Sequence, residues 1–186
     1  MKGLFRVLAV DDGFFKPKKK GKAILVGVVS RIDGRVEGIL STNVNVDGLD
    51  STGKIIKMLE KSKFKTQVKF LILDGLNFAG FNFVDLPKLN EKLGIPCIAV
   101  QRKKPNFEKI EAALSSFKDK GRRMKLIEKA GPVHKARKVF FQFSGGDGKT
   151  IKTVLSKTTK HGNLPEPLRL AHLIASGVSI GESTRP

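Results

Sequence analysis

At 186 residues, 40% hydrophobic and 28% charged, the chain is long enough to bury one sizeable core without metal or disulfide staples, and a single domain spanning 1–186 is expected. One cysteine, Cys97, excludes a disulfide framework and a structural zinc site; no apolar stretch reaches the roughly 18 residues of a membrane span or forms a signal-peptide core, so a cytoplasmic protein is expected. The 36 Lys+Arg against 17 Asp+Glu leave a formal charge of +19, which points to a polyanionic partner, most simply nucleic acid, although Lys-rich surfaces also serve as solvated, heat-tolerant faces.

Phe5 to Val10 reads as a short apolar strand that delivers Asp11 and Asp12 to its end. The loop that follows, Phe14 to Lys22, carries Lys16, Lys18, Lys19, Lys20 and Lys22 around Pro17 and is too charged to bury; it is either a solvated hairpin tip or a phosphate contact beside the acids. Strands over 23–31 and 36–46, turned at Asp33-Gly34, make two antiparallel hairpins from three strands. Apolar residues at 55, 56, 58 and 59 predict a helix over 51–61, with Asp50 or Ser51 as its N-cap.

Val68 to Leu73 is an almost continuous apolar run, the pattern of a central strand covered on both faces, and it stops at Asp74-Gly75. A carboxylate there sits where open α/β sheets place their ligands, and glycine allows close approach to the backbone; the alternative is an ordinary Asp-Gly turn. A helix over 82–93 with Pro87 near its first turn, and a buried strand over 95–100 containing Cys97, come next. That strand runs out into the basic Arg102, Lys103 and Lys104. Helical spacing over 107–117, a basic helix or loop over 121–129, a strand over 138–143 and helices over 149–157 and 167–176 complete a mixed central sheet covered by helices, an α/β fold with neither repeat nor linker.

Ser144 to Thr150 fits the end of a phosphate-binding loop, but the required first glycine falls on Phe143. The histidines at 134, 161 and 172 show no zinc spacing. With neither Trp nor Tyr in the chain, base stacking would fall to Phe, His or Arg.

Leu164 to His172, LPEPLRLAH, resembles the C-terminal motif of endonuclease V, in which a PEPxRxAH helix brings a histidine to the metal site. LAVDDG, residues 8–13, is similar to that family's first-strand V-D motif and places Asp11 at the catalytic aspartate. LILDGLNF, residues 71–78, with LGIPCIAVQRK, residues 93–103, resembles the family's strand-Asp-Gly and following segment; it places Asp74 at the second aspartate and Arg102 at the active-site lysine, with Lys103 beside it. Over most of its length the chain is similar to the archaeal endonuclease dU family, and the resemblance implies a ribonuclease H-like, endonuclease V-like fold.

Two departures accompany it. GILSTNV, residues 38–44, puts Val44 at the family glutamate, and GRVE, residues 34–37, replaces the P-Y-x-P wedge. Alignment backward from the helix puts Ser51 at the glutamate instead, so the intervening segment holds an insertion, and Asp50, then Asp47, are the candidates for a substitute third acid.

Carboxylates gathered at neighbouring strand ends repel unless a cation sits between them. Asp11, Asp74 and Asp50 or Asp47 are therefore expected to hold Mg²⁺ or Mn²⁺, with His172 orienting or protonating near the leaving group and Arg102, Lys103, Lys18, Lys19 and Lys20 meeting phosphates. Gly75 and Gly38 are candidate walls of a base pocket. The expected activity is that of a hydrolase, a metal-dependent endodeoxyribonuclease cutting near a deaminated base in DNA repair, with uracil favoured and hypoxanthine second. The partner is DNA, with RNA as the alternative, and neither a membrane nor an obligate protein partner is expected. A silent nucleic-acid-binding protein that has lost a ligand at Val44 is the rival reading.

Overall fold

The computed structural model describes residues 5–17 and 19–186. In chain order the elements are β1 (Arg6–Asp12), β2 (Lys22–Arg31), β3 (Val36–Asn45), α1 (Ser51–Glu60), β4 (Val68–Asp74), β5 (Asn77–Phe78), β6 (Asn82–Phe83), α2 (Leu86–Leu93), β7 (Cys97–Gln101), α3 (Phe107–Ala113), a 3₁₀ turn (Leu114–Ser116), α4 (Lys120–Lys129), β8 (His134–Ala136), β9 (Val139–Ser144), α5 (Gly148–Thr158) and α6 (Glu166–Ile180). Seven strands form one sheet in the order β3-β2-β1-β4-β7-β9-β8, and β5 pairs with β6 in a separate hairpin. The β1–β4 and β4–β7 pairs are parallel and the others antiparallel, the mixed sheet expected from the sequence.

Strand periodicity assigns the residues of β1 to two cores. Leu8 and Val10 join Leu71, Leu73, Ile55, Leu59, Leu86, Leu89 and Ile127 on the face covered by α1, α2 and α4. Val7 and Ala9 join Phe70, Ile72, Ile98, Phe141, Ile151, Val154 and Leu168 on the face covered by α5 and α6. This double burial is why β4 reads as a continuous apolar run. Cys97 is fully buried in the first core, and burial pushes its thiol well up, which makes it an inert packing residue.

Several elements go beyond or differ from the sequence reading, which contains no strand at β5, β6 or β8 and leaves the stretch after Gly121 open between helix and loop. The helix expected from Asn82 starts at Leu86, because Asn82 and Phe83 pair with Phe78 and Asn77 and the Asp85 side chain caps the helix by accepting from Lys88 N–H. The basic stretch after Gly121 is helical, and among its residues Arg123 and Ile127, four apart, are buried. The last helix runs four residues beyond Ser176, to Ile180, and ends at Gly181 in the left-handed conformation, φ 85°. No helix among the described residues is long and apolar enough to cross a membrane.

Candidate active site

Parallel pairing sets Val10 opposite Leu73, so Asp11 and Asp74 leave β1 and β4 together at one edge of the sheet. Their parity matters. Asp11 follows Val7 and Ala9, and Asp74 follows Phe70 and Ile72, so both carboxylates face the layer of α5 and α6.

α6 approaches closely because residue 13 has no side chain: a Cβ on Gly13 would lie 2.0 Å from Ser179 Oγ and 2.8 Å from the Ala175 carbonyl oxygen. Leu168, Ala171 and Ala175 are the buried stripe of α6, and His172 stands at its rim. His172 Nδ1 lies 2.8 Å from Asp11 Oδ2, and Nε2 lies 3.0 Å from Thr184 Oγ1. One ligand atom from each of Asp11, Asp74 and His172 falls within 4.8 Å of the other two.

The crowding is visible electrostatically. Burial, reinforced by the charge of Asp11, raises the Asp74 carboxyl to about 6, against the opposing pull of Arg102 and His172. Burial and then Asp11 raise Asp12 to about 7. The hydrogen bond with Asp11 raises His172 above the usual imidazole value. Arg102 Nη1 is 3.3 Å from Asp74 Oδ2, and Lys103 follows it exposed on the loop after β7. The buried Asp11 and half-buried Asp74 carboxylates, with Arg102 to balance them, are donors suited to a hard divalent cation, and the His172 imidazole stands beside them.

The structure does not bring Asp50 or Asp47 into this group. Asp50 occupies the N-cap position of α1 without capping it; its carboxylate accepts from Asn45 N–H at 3.2 Å, Asn45 Nδ2 at 2.9 Å and Asn82 Nδ2 at 2.7 Å. Asn82 Oδ1 takes the free Ser51 N–H of the helix at 3.1 Å in its place. Asp47 is left-handed, φ 54°, and accepts from Phe81 N–H at 2.9 Å. Both acids thus bind the β3–α1 turn to the β5–β6 hairpin. Val44 is fully buried in the core.

Gly38 is also placed elsewhere. It lies opposite Val29, three residues back from Ser41, which shares the rung of Asp11 and Val26, and a Cβ there would come 2.4 Å from Phe64. Gly75, at φ 85°, lines a cavity of about 320 Å³ beside Asp74 with Asn77, Phe83, Gln101, Arg102 and Phe107. Lys19 and Lys20 are exposed on the β1–β2 loop, at the sheet edge where Asp11 ends; Lys18 lies outside the described residues. The phosphate-loop-like segment is at the other end of the sheet, where Ser144 pairs with Cys97, and Asp147 itself takes the Lys149 and Thr150 N–H groups at 3.0 and 2.9 Å.

Two residues carry structural roles unassigned in the sequence, Asp12 beside the site and Arg123 on α4. Asp12 faces the opposite side from Asp11 and accepts from Ala79 N–H at 2.6 Å, tying β1 to the β5–β6 hairpin. Its only signal was adjacency to Asp11. Arg123, 4% exposed, donates to the carbonyls of Gly48 at 3.1 Å, Asp47 at 2.8 Å and Phe81, pairs with Asp119 at 2.8 Å, and packs over the Phe117 ring at 4.5 Å.

The family model described as Endonuclease dU matches residues 4–179. The chain belongs to that family. A UPF0215 protein of Methanopyrus kandleri is 42% identical to this chain over 185 residues, covering 96% of it and 93% of the relative. Among solved structures, a protein of unknown function from Archaeoglobus fulgidus matches with a TM-score of 0.87 at 34% identity, covering 94% of this chain and 98% of that one. Endonuclease V of Bacillus subtilis matches with 0.62 at 12% identity, covering 91% and 78%. Endonuclease V of Ciona intestinalis, in complex with a 24mer DNA containing an inosine followed by a ribo-adenosine, matches with 0.57 at 15%, covering 90% and 82%. These last two show the endonuclease V fold, and family and fold together support a nuclease.

Proposed function

We propose that the protein is a divalent-metal-dependent endonuclease that cuts DNA beside a deaminated base, uracil in the first place. The observation that carries this reading is the convergence of Asp11, Asp74 and His172 at the ends of two parallel strands in a protein of charge +19. The family's description names dU, and the DNA bound by the Ciona relative contains inosine, which makes hypoxanthine the second candidate.

Asp11 and Asp74 would hold Mg²⁺ or Mn²⁺. Such an ion, when bound, supplies an activated water and stabilises charge on the scissile phosphate. The chain's own groups do the rest. Arg102, exposed on one side and against Asp74 on the other, neutralises phosphate charge, with Lys103 beside it. Asp11 fixes the imidazole of His172 through Nδ1 and raises its basicity, so that a proton at Nε2 is available to the leaving oxygen. The Gly75 cavity, walled by Phe83, Phe107 and Asn77, receives a base turned out of the stack, a step that costs least at a mismatch.

The test is nicking of duplex and single-stranded oligonucleotides carrying one uracil, hypoxanthine or xanthine, with and without Mg²⁺ or Mn²⁺, and with RNA counterparts. Cutting of uracil-containing DNA only with metal is the expected result. Equal cutting of undamaged DNA removes the lesion from the proposal, and full activity in chelator removes the metal.

Ion binding has a signature apart from activity. Asp74 and Asp12 bind protons more tightly in the folded than in the unfolded state, with folded values of about 6 and 7. Below the unfolded carboxylate range both states are protonated and the stabilising contribution is fully present; it is lost as pH rises through 6 and 7. The metal-free protein should therefore melt at a lower temperature at pH 8 than at pH 5. Added Mn²⁺ should raise the melting temperature markedly at pH 8 and little at pH 5, where protons compete for Asp74. A metal-induced shift of equal size at both pH values is inconsistent with these ligands.

A further inference from the structure

We propose a second phosphate site on this protein, distinct from the acids: a cationic cavity that holds a backbone phosphate of the substrate strand close to the cut. The inference rests on the nuclease reading and extends it by giving the strand a path. The cavity, of about 260 Å³, is walled by Arg102, Lys138, His161, Asn163 and Arg169. No acidic side chain lines it, although Pro186, the last residue of the sequence, does. It is smaller than the ~300–1,000 Å³ of pockets for whole drug-sized ligands, which suits a phosphate and its sugar better than a complete nucleotide.

Four segments build it, Arg102 coming from the loop after β7. Lys138 immediately precedes β9, His161 and Asn163 come from the α5–α6 connection, and Arg169 stands on the first turns of α6. Arg169 is held in place by Glu166, through Nε at 2.9 Å and Nη2 at 2.6 Å, a bidentate pair that fixes the guanidinium. Among the described residues, neither Lys138 nor His161 lies within ion-pairing distance of a carboxylate. Arg102 and Arg169 each carry one carboxylate partner, Asp74 and Glu166, and Lys138 adds a charge with none among the described residues, so the cavity keeps an excess of positive charge for an anion.

Arg102 supplies the direction. It touches Asp74 and lines both the Gly75 cavity and this one, so a strand whose scissile phosphate meets Arg102 has the cationic cavity as its next stop. Val139, at the cavity floor, is on β9, two strands from β4. At about 4.8 Å per strand that is roughly 10 Å, about one to two linkages, because successive phosphates wind around the axis and lie farther apart than the ~3.4 Å rise.

The experiment measures binding of full-length protein to a uracil-containing duplex by fluorescence anisotropy, in chelator, with single phosphodiesters on either side of the lesion replaced one at a time by neutral methylphosphonate. One position within about two linkages of the cut should weaken binding by wild type and have no further effect on Lys138→Ala/His161→Ala. Lys138→Ala alone should lower the slope of log K against log salt by about 0.9, and Lys138→Arg should restore it. Both positions are exposed, and melting curves establish that the variants fold. A methylphosphonate penalty of equal size in wild type and the double variant at every position overturns the site. Because the readout is binding, a protein that shows the coupling but does not cut uracil DNA retains the site and loses the lesion assignment.

Discussion

Asp11→Asn or Asp74→Asn is expected to lower single-turnover nicking by roughly 10³-fold or more, because a metal ligand that supplies several kcal/mol of transition-state charge stabilisation is removed and each 1.36 kcal/mol is tenfold in rate. Folding should survive. Asparagine keeps the size of the side chain and an oxygen acceptor for His172 Nδ1–H, and it relieves the repulsion that raises the neighbouring carboxyls. The metal-free variants should therefore melt at or slightly above the wild-type temperature at pH 8, and DNA affinity should be equal or higher, since a charge opposing phosphate is gone. Nicking assays read alongside melting curves separate the two roles: turnover within tenfold of wild type in either variant takes that acid out of the chemistry, and an inactive variant that has lost its melting transition identifies a folding residue.

Arg123→Met should produce the largest loss of stability, about 3–5 kcal/mol, the range seen when one partner of a buried charged network is removed. Methionine can fill the space over Phe117, but it leaves the carbonyls of Asp47 and Gly48 without their donor inside the fold, each at a cost of about 1–3 kcal/mol before relaxation, and leaves the Phe81 carbonyl with Phe83 N–H alone. Against a total of about 5–15 kcal/mol for a typical domain, the loss is large. At about 2–4 °C per kcal/mol for a chain of this length, the melting temperature should fall by around 10 °C. Arg123→Lys retains the charge but cannot fork between three carbonyls, and it should recover less than half of the loss. Equilibrium urea unfolding of both variants checks this; a loss below 1 kcal/mol for Arg123→Met would remove Arg123 as the residue that clamps the β3–α1 turn to the hairpin.

What could be read from the chain follows from how far each interaction reaches along it. β4 announces itself by an unbroken apolar run, and the strand-end acids at 11 and 74 follow from where such runs stop, so the fold and the pair Asp11 and Asp74 are visible locally. His172 needed the motif, since a lone helical histidine has no local mark. The role of Asp50 was hidden because its partner Asn82 is 32 residues away, and that of Asp47 because it meets Phe81 N–H 34 residues on. An acid in a loop looks the same whether it awaits a metal or a backbone amide. Arg123 was hidden in a different way: in KGRRMK nothing local separates it from its exposed neighbour Arg122, and only the fold of the chain around Phe81 and Phe117 buries one of the two. The two-residue strands of the hairpin are too short to carry a period.

Cys97 has a practical side that its packing makes available. It is the chain's one thiol, shut away in the core with its proton held firmly by burial, so it should ignore maleimides and iodoacetamide in the folded protein. A cysteine introduced at an exposed position, Lys20→Cys on the β1–β2 loop or Ser156→Cys on α5, is then the sole reactive handle. The native sequence needs no prior cysteine removal to carry a fluorophore or spin label at either place, and the arrival of a labelled oligonucleotide can be followed by energy transfer in an otherwise unaltered molecule.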